Sequence, residues 1–296
     1  MKKIKVCVVG YGNVGREAVK CINRAPDLEL AGVVRREVKE SGAPWPVATR
    51  VEELGPVDAA ILAVPSRQVP LVAPLYLQKG INTVDSFDLH GEPMLALREN
   101  LDREARKSGR VAVIGTGWDP GTDSVIRMLL AVIAPGGITY TNFGPGMSMG
   151  HSVAAKSIPG VKDAVSITIP VGFGQHRRDV YVELEEGADF AEVARKIQED
   201  PYFVHDQTRV QQVDDVSGLK VMGHGVRIER LGSSGEAQNQ RLTFKMKLNN
   251  PAATAQIMVA AARASMRLAP GSYVLGEIPP IDLLPFSREE VIKHMV

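Results

Sequence analysis

The chain has 296 residues, long enough for two domains with separate cores, and a formal net charge of +1 with acids and bases interspersed. It has no basic stripe of the kind that nucleic acid or an anionic membrane requires, and no apolar run of membrane-spanning length, so neither partner is expected. Two cysteines, Cys7 and Cys21, show neither CxxC spacing nor a secretory context and are expected as buried free thiols. In chain order, the basic start Met1-Lys2-Lys3 leads into a strand and not into an apolar leader, which predicts a cytoplasmic protein.

The apolar run Ile4, Val6, Val8, Val9 breaks into Gly10-Tyr11-Gly12-Asn13-Val14-Gly15 and then into helix-forming sequence. This is the strand, turn and helix of a dinucleotide site: Gly10 allows the sharp turn, Gly12 admits a pyrophosphate to the backbone, and Gly15 lets helix and strand pack closely. The free N–H groups of the helix then face the phosphates. The next strand, Leu28 to Val34, ends in Arg35-Arg36 where an NAD enzyme usually carries an acid. Guanidiniums there pair with a 2′-phosphate, so NADP is predicted; the alternative is a pair of solvated surface charges.

Residues Glu37 to Thr49 read as loop, and Val57 to Val64 as a buried parallel strand ending in Pro65-Ser66-Arg67, which join the expected cofactor contacts. A helix over Val69–Gln78, a strand over Ile81–Val84, a helix over Pro93–Lys107 and a strand over Arg110–Ile114 complete a Rossmann-type parallel α/β sheet. A helix then begins at Asp123, which reads as its cap, and strands follow at Ile138–Phe143, Ala164–Ile169, Val180–Glu185, Arg209–Val213, Gly225–Arg230 and Arg241–Leu248, with a helix at Phe190–Glu199. These predict an α+β substrate and dimerisation domain built on a mostly antiparallel sheet with helices on one face. The helix from Pro251 to Arg267 is expected to return to the first domain, giving residues 1–118 with 251–296 as the nucleotide domain and 119–250 as the second. A sheet of that kind needs its exposed face or edges covered, so at least a homodimer is expected.

Four loops concentrate aromatic and charged residues: Asp85-Ser86-Phe87-Asp88, Gly117 to Asp123, Phe143 to His151, and Gly223-His224. Asp88 and Asp119 both follow strands of the parallel sheet and are expected over its carboxyl edge, where a carboxylate pair can hold an ammonium group. The competing reading of each is a turn or helix-cap aspartate. The six histidines form no HExxH or other clustered set, so no metal is expected.

Gly10-Tyr11-Gly12-Asn13-Val14-Gly15-Arg16, Val84 to Asp88, Gly117-Trp118-Asp119-Pro120-Gly121, Phe143 to Ser152 and Asn249-Asn250-Pro251 together resemble the meso-diaminopimelate dehydrogenase family. The match spans nearly the whole chain in order, and between Pro170 and Tyr181 it follows the family's compact variant. The resemblance implies NADP-dependent oxidative deamination of the D-centre of meso-2,6-diaminopimelate to L-2-amino-6-oxopimelate, ammonia and NADPH, or the reverse. It implies that Asp88 and Asp119 hold the reacting amine, that Trp118 and Phe143 wall the site, and that Met149 and Gly150 contribute packing and backbone. It further implies that Thr168, Arg178 and His224 grip the distal carboxylate and that Asn250 touches substrate. Arg178 also reads as an exposed edge-strand charge, Thr168 as an ordinary strand residue and His224 as a turn residue. His151 reads as a cap or core histidine and stays outside the set. The alternatives are an NADP-dependent reductase of the dihydrodipicolinate reductase or homoserine dehydrogenase type, and a non-catalytic NADP sensor.

Overall fold

The computed structural model describes residues 3–37, 42–220 and 223–296; the first two residues and positions 38–41 of the expected loop lie outside them. The chain forms two compact units, Met1–Val125 with Pro251–Val296, and Ile126–Asn250.

The first unit opens with β1 (Ile4–Val9), α1 (Asn13–Arg24), β2 (Leu28–Val34) and the short β3 (Val47–Ala48). It continues with β4 (Ala59–Leu62), α2 (Val69–Gln78), β5 (Asn82–Asp85), α3 (Glu92–Ser108), β6 (Val111–Ile114) and the start of α4 (Thr122–Ile133). The alternation of strand and helix gives parallel pairing throughout, as read from the sequence. Strand β4 and the Val6–Val9 stretch of β1 are apolar at every position because each face of the sheet has its own core. Val6, Val8, Ala59 and Ile61 pack with α1 on one side, whereas Cys7, Val9, Ala60 and Leu62 pack with α2 and α3 on the other. Cys7 is accordingly inert, its thiol pushed up to about 12 by burial; neither cysteine is bonded to another, and Cys21, expected buried, is only half-buried because it lies off the face of α1 formed by Ala18, Val19 and Ile22.

The second unit contains β7 (Gly136–Phe143), β8 (Gly146–Ser148), α5 (Met149–Lys156), β9 (Val161–Gly172) and β10 (Gln175–Leu184). After these come α6 (Phe190–Glu199), β11 (Gln207–Gln212), β12 (Gly223–Ser234) and β13 (Ala237–Asn249). The strands divide into two sheets, β11-β10-β9-β8 and β13-β12-β7, antiparallel except for the β10–β11 pair. Helices α5 and α6 cover the four-stranded sheet through Ala154, Ala155, Val193 and Ile197, packed on Ala164, Val180 and Val182. The segment between Pro170 and Tyr181, where the sequence is compact, is the turn of the β9–β10 hairpin, with Gly172 paired to Gln175.

The tail is α7 (Asn250–Ser265), β14 (Gly271–Val274) and α8 (Arg288–Met295). Helix α7 buries Ala255, Met258, Val259 and Ala262 in the α1 side of the first unit's core. Strand β14 pairs parallel to β6, so the full sheet has seven strands in the order β14-β6-β5-β4-β1-β2-β3.

Candidate active site

At the first turn the chain is shaped for a phosphate. Gly10 has φ +92°, and a Cβ there would meet the Ala63 carbonyl oxygen at 2.4 Å; one on Gly15 would meet the Gly10 oxygen at 2.2 Å. Around Gly12 the same construction meets nothing within 4 Å. Helix α1 starts at Asn13 with no side-chain cap and no acid in its first turn, which leaves amides and the positive end of its dipole for an anion. Gly10 N–H donates to the Val34 carbonyl at 2.9 Å and thereby ties the turn to the strand end that carries Arg35 and Arg36. Arg35 is half-buried over the Tyr11 ring at 5.7 Å, Arg16 lies over the same ring at 5.9 Å, and Arg36 is exposed. Val14 packs against the core beneath this turn. Ser66 and Arg67 form a short 3-10 turn after β4, with Pro65 ahead of it, and exposed Arg36 reaches Gln68 in that turn at 3.4 Å. This cradle with its guanidiniums fits a dinucleotide bearing a 2′-phosphate.

Asp88 sits beside that turn. It accepts from the Ser66 hydroxyl at 2.6 Å, and its own N–H donates back to that hydroxyl at 3.2 Å. Upstream of it, the fully buried Asp85 carboxyl accepts from the Phe87 N–H at 3.0 Å and the Gly115 N–H at 3.3 Å. The Asp85 carbonyl accepts from the Thr116 N–H at 2.8 Å and the Thr116 hydroxyl at 2.7 Å. One residue thus braces both the loop that carries Asp88 and the loop that carries Trp118 and Asp119. Burial pushes the Asp85 carboxyl up to about 7, opposed by its two amide donors. Trp118 is buried and Asp119 half-buried, in a turn where a Cβ on Gly121 would meet the Gly117 carbonyl oxygen at 1.9 Å. Asp123 lies inside the first turn of α4, not ahead of it as a cap.

In the second unit, Thr168 and Arg178 are directly opposed across the β9–β10 pair, so their side chains share a face. The Arg178 Nη1 group donates to the Thr168 hydroxyl, and its Nε donates to Asp206 Oδ2 at 2.6 Å. Asp206 immediately precedes β11, whose parallel register sets Thr208 beside Arg178. His224, expected in a loop, is the second residue of β12 and is buried. Burial lowers its pKa to about 4, and the Arg178 and His176 charges act in the same direction. Its Nδ1 lies 2.8 Å from the Gly225 nitrogen and 3.0 Å from the Gly225 carbonyl oxygen, so the ring is held against its neighbour's backbone. Phe143 ends β7, and its N–H donates to His176 Nε2 at 2.8 Å. Burial and the Arg178 charge hold His176 below the ordinary histidine range, in keeping with that acceptor role.

Met149 and Gly150, also expected in a loop, form the first turn of α5; Asn250, at the start of α7, donates to the Met147 carbonyl at 3.4 Å. The Gly144-Pro145-Gly146 turn ties these parts together: a Cβ on Gly144 would meet the Thr168 carbonyl, and one on Gly146 would meet His224 Cα. His151 bonds Ser148 Oγ at 2.8 Å and contacts the rings of Tyr202 and Phe203 edge-on. Asp206 and His176 bond expected site residues, Arg178 and Phe143, and Asp85 bonds the loops that carry Asp88 and Asp119, none of which the sequence signalled. For the first two, the only sequence signal is an acid or imidazole near Arg178, and it has meaning only once strand register is known.

Residues 117–250 match the diaminopimelic acid dehydrogenase C-terminal domain family. Over 300 aligned positions the chain is 53% identical to the meso-diaminopimelate D-dehydrogenase of Bacteroides fragilis, with 100% of both chains covered. The chain belongs to the meso-diaminopimelate D-dehydrogenase family. A member from Ureibacillus thermosphaericus is 36% identical, again over 100% of both chains. Among solved structures, the C. glutamicum DAP dehydrogenase in complex with DAP is similar with a TM-score of 0.90 at 31% identity, covering 100% of each chain. An engineered D-amino acid dehydrogenase bound to NADP+ is similar with a TM-score of 0.91 at 29% identity, also over 100% of each.

Proposed function

We propose that this chain is a meso-diaminopimelate D-dehydrogenase that converts meso-2,6-diaminopimelate, NADP+ and one water to L-2-amino-6-oxopimelate, ammonia, NADPH and a proton, reversibly: hydride leaves the D-centre carbon and the water hydrolyses the resulting imine. The observation that carries the reading is the Asp88–Ser66 hydrogen bond, which fixes a carboxylate at the same sheet edge as a turn shaped for a dinucleotide. NADP, when bound, supplies the hydride acceptor. Gly10, Tyr11, Gly12, Asn13, Val14 and Gly15 receive its pyrophosphate, Arg35 and Arg36 its 2′-phosphate, and Pro65, Ser66 and Arg67 line its path.

Asp88 and Asp119 hold the D-ammonium by charge-assisted hydrogen bonds and orient the carbon whose hydrogen leaves. Trp118 and Phe143 exclude bulk water, which strengthens those contacts; Met149 and Gly150 pack beside them, and Asn250 touches the substrate. Arg178, Thr168 and the neutral His224 donate to the distal carboxylate, three kinds of donor on one anion. Holding both ends decides which of two opposite centres reacts.

Residues 1–118 with 251–296 serve as the nucleotide domain, and 119–250 bind substrate and build at least a homodimer. A patch of exposed apolar side chains supports that assembly: Met128, Leu129, Val132 and Ile133 on α4, with Ile138 paired opposite Leu231 on β7 and β12. The protein works in the cytoplasm; among the described residues no helix is long and apolar enough to cross a membrane.

The deciding experiment follows NADPH absorbance with meso-diaminopimelate and NADP+, beside homoserine as the substrate of an alternative enzyme. Turnover of diaminopimelate alone is expected. No NADPH from diaminopimelate would overturn the assignment.

A further inference from the structure

Five N–H groups in a planar fork make arginine a good carboxylate receptor only when the plane is held still. Arg178 is held at two different nitrogens, by Asp206 Oδ2 at Nε and by Thr168 at Nη1. Two bonds at two atoms fix both the position of the guanidinium and its rotation, and they leave Nη2 and the rest of Nη1 to donate to a ligand. The clamp is mostly removed from water, with the Arg178 side chain 11% and that of Asp206 20% exposed. Thr168 alone would leave the fork free to pivot about Nη1.

Asp206 is itself fixed. It closes a turn in which its N–H donates to the Phe203 carbonyl at 3.0 Å, and Phe203 is among the largest fully buried side chains. The core under α6 thus reaches the guanidinium through a single carboxylate.

We propose that Asp206 is a positioning residue for Arg178 and through it sets the preference for a substrate with a distal carboxylate over a D-amino acid without one. This rests on the reading above, in which Arg178 receives that carboxylate. Asp206 acts on orientation and not on net charge: its negative charge opposes an arriving carboxylate, so a purely electrostatic role would make its removal tighten binding. A positioning role makes removal loosen it. The two signs separate the mechanisms.

The test measures kcat and KM for meso-diaminopimelate and for D-leucine, with NADP+, in wild type, Asp206→Ala, Asp206→Asn and Arg178→Met. Asp206→Ala should raise KM for diaminopimelate roughly tenfold or more, the loss of one hydrogen bond to a charged group, with kcat for diaminopimelate and both constants for D-leucine changed less than about threefold. Asp206→Asn retains an acceptor oxygen for Nε and should restore most of the KM. An unchanged or lowered KM in Asp206→Ala overturns the proposal, as does an equal loss on both substrates. If Asp206→Ala does not fold, Asp206→Ser takes its place with the same expected KM and the same refuting outcomes. If Arg178→Met loses both substrates in proportion, distal recognition by Arg178 fails and this inference with it. If Arg178→Met shifts the preference and Asp206→Ala does not, only the inference fails.

Discussion

Asp85→Asn should reverse its effect on stability between acid and alkaline pH. In the folded chain the Asp85 carboxyl is raised from 3.8 to about 7, mainly because it is fully buried. A raised carboxyl keeps its proton in the folded state over the interval in which the unfolded chain has lost it. Its contribution to stability is therefore complete below 3.8 and is lost as pH rises through 7. At about 1.4 kcal/mol per pH unit, the loss between about pH 5 and pH 8 comes to about 3 kcal/mol. The amide has no titration in this range. It keeps Oδ1 for the Phe87 and Gly115 N–H groups but puts an NH2 where Asp85 Oδ2 is buried with no hydrogen-bond partner among the described residues. The protonated acid puts one O–H donor there and the amide two, so the amide adds one further unpaired donor, at about 1–3 kcal/mol. Near pH 5 the variant should be the less stable protein, and by about pH 8 it should match or exceed wild type. His224, lowered to about 4, works the other way, since its stability contribution is lost as pH falls from 6.5 towards 4, but it is present in both proteins and cancels in their difference. Urea denaturation midpoints with slopes, at four pH values across the interval, give that difference directly. A wild-type minus variant difference that stays flat across the interval would refute the reasoning.

Replacing Arg35 and Arg36 together with an acidic and a neutral residue should weaken NADP by a few kcal/mol, about 1.5–3 for each charge-assisted bond, and NAD far less; equal loss in fluorescence titrations with the two cofactors would count against a 2′-phosphate site. Arg178→Met combined with an apolar residue at Thr168 or His224 should lower kcat/KM for diaminopimelate while raising activity on D-leucine relative to it, because the carboxylate-free substrate no longer strands a half-dry cation. Asp119→Ala should lower turnover on both substrates alike, since the reacting amine is common to them, and a loss confined to diaminopimelate would reverse the assigned orientation. Light scattering at micromolar concentration should give at least a dimer, and Val132→Glu together with Ile133→Glu should dissociate it; a wild-type monomer would remove the apolar patch as an interface.

The parallel sheet was legible because its strands carry no polar face: Val6 to Val9 and Ala59 to Leu62 are apolar on both sides, a pattern only a doubly covered sheet produces. The second unit was harder. Alternation along Val161–Gly172 or Ala237–Asn249 identifies a strand but says nothing about its partner, so the division into two sheets could not be read, nor the parallel β10–β11 pair. The sequence after His151 reads as helical, but the first turn of α5 escaped because it contains Gly150, a poor helix former, and β14 escaped because four residues at a sheet edge leave little pattern. The same gap hid Asp206: nothing in Val204-His205-Asp206 marks a ligand until β11 is laid beside Arg178. Asp85 failed for the opposite reason. It stood in plain view beside Asp88, and only the burial of one aspartate and the half-exposure of the other separates a brace from a candidate ligand.

Both units share one electrostatic logic. In the first, the group that braces the candidate amine ligands is a carboxyl whose proton is retained up to about 7; in the second, the imidazoles near Arg178 are both held below the ordinary histidine range. A fully charged Asp85 would add a third carboxylate to the loops of Asp88 and Asp119, and a charged His224 or His176 would add a cation beside Arg178 at a desolvation cost that burial makes large. Kept neutral, these groups still hydrogen-bond: Asp85 fixes two loops, His176 fixes the Phe143 backbone, and His224 bonds the Gly225 backbone. Shape at these places is thus set by neutral groups. Asp206 departs from this pattern because an arginine does not shed its proton, so it is held by a counter-charge where an imidazole can simply be neutral.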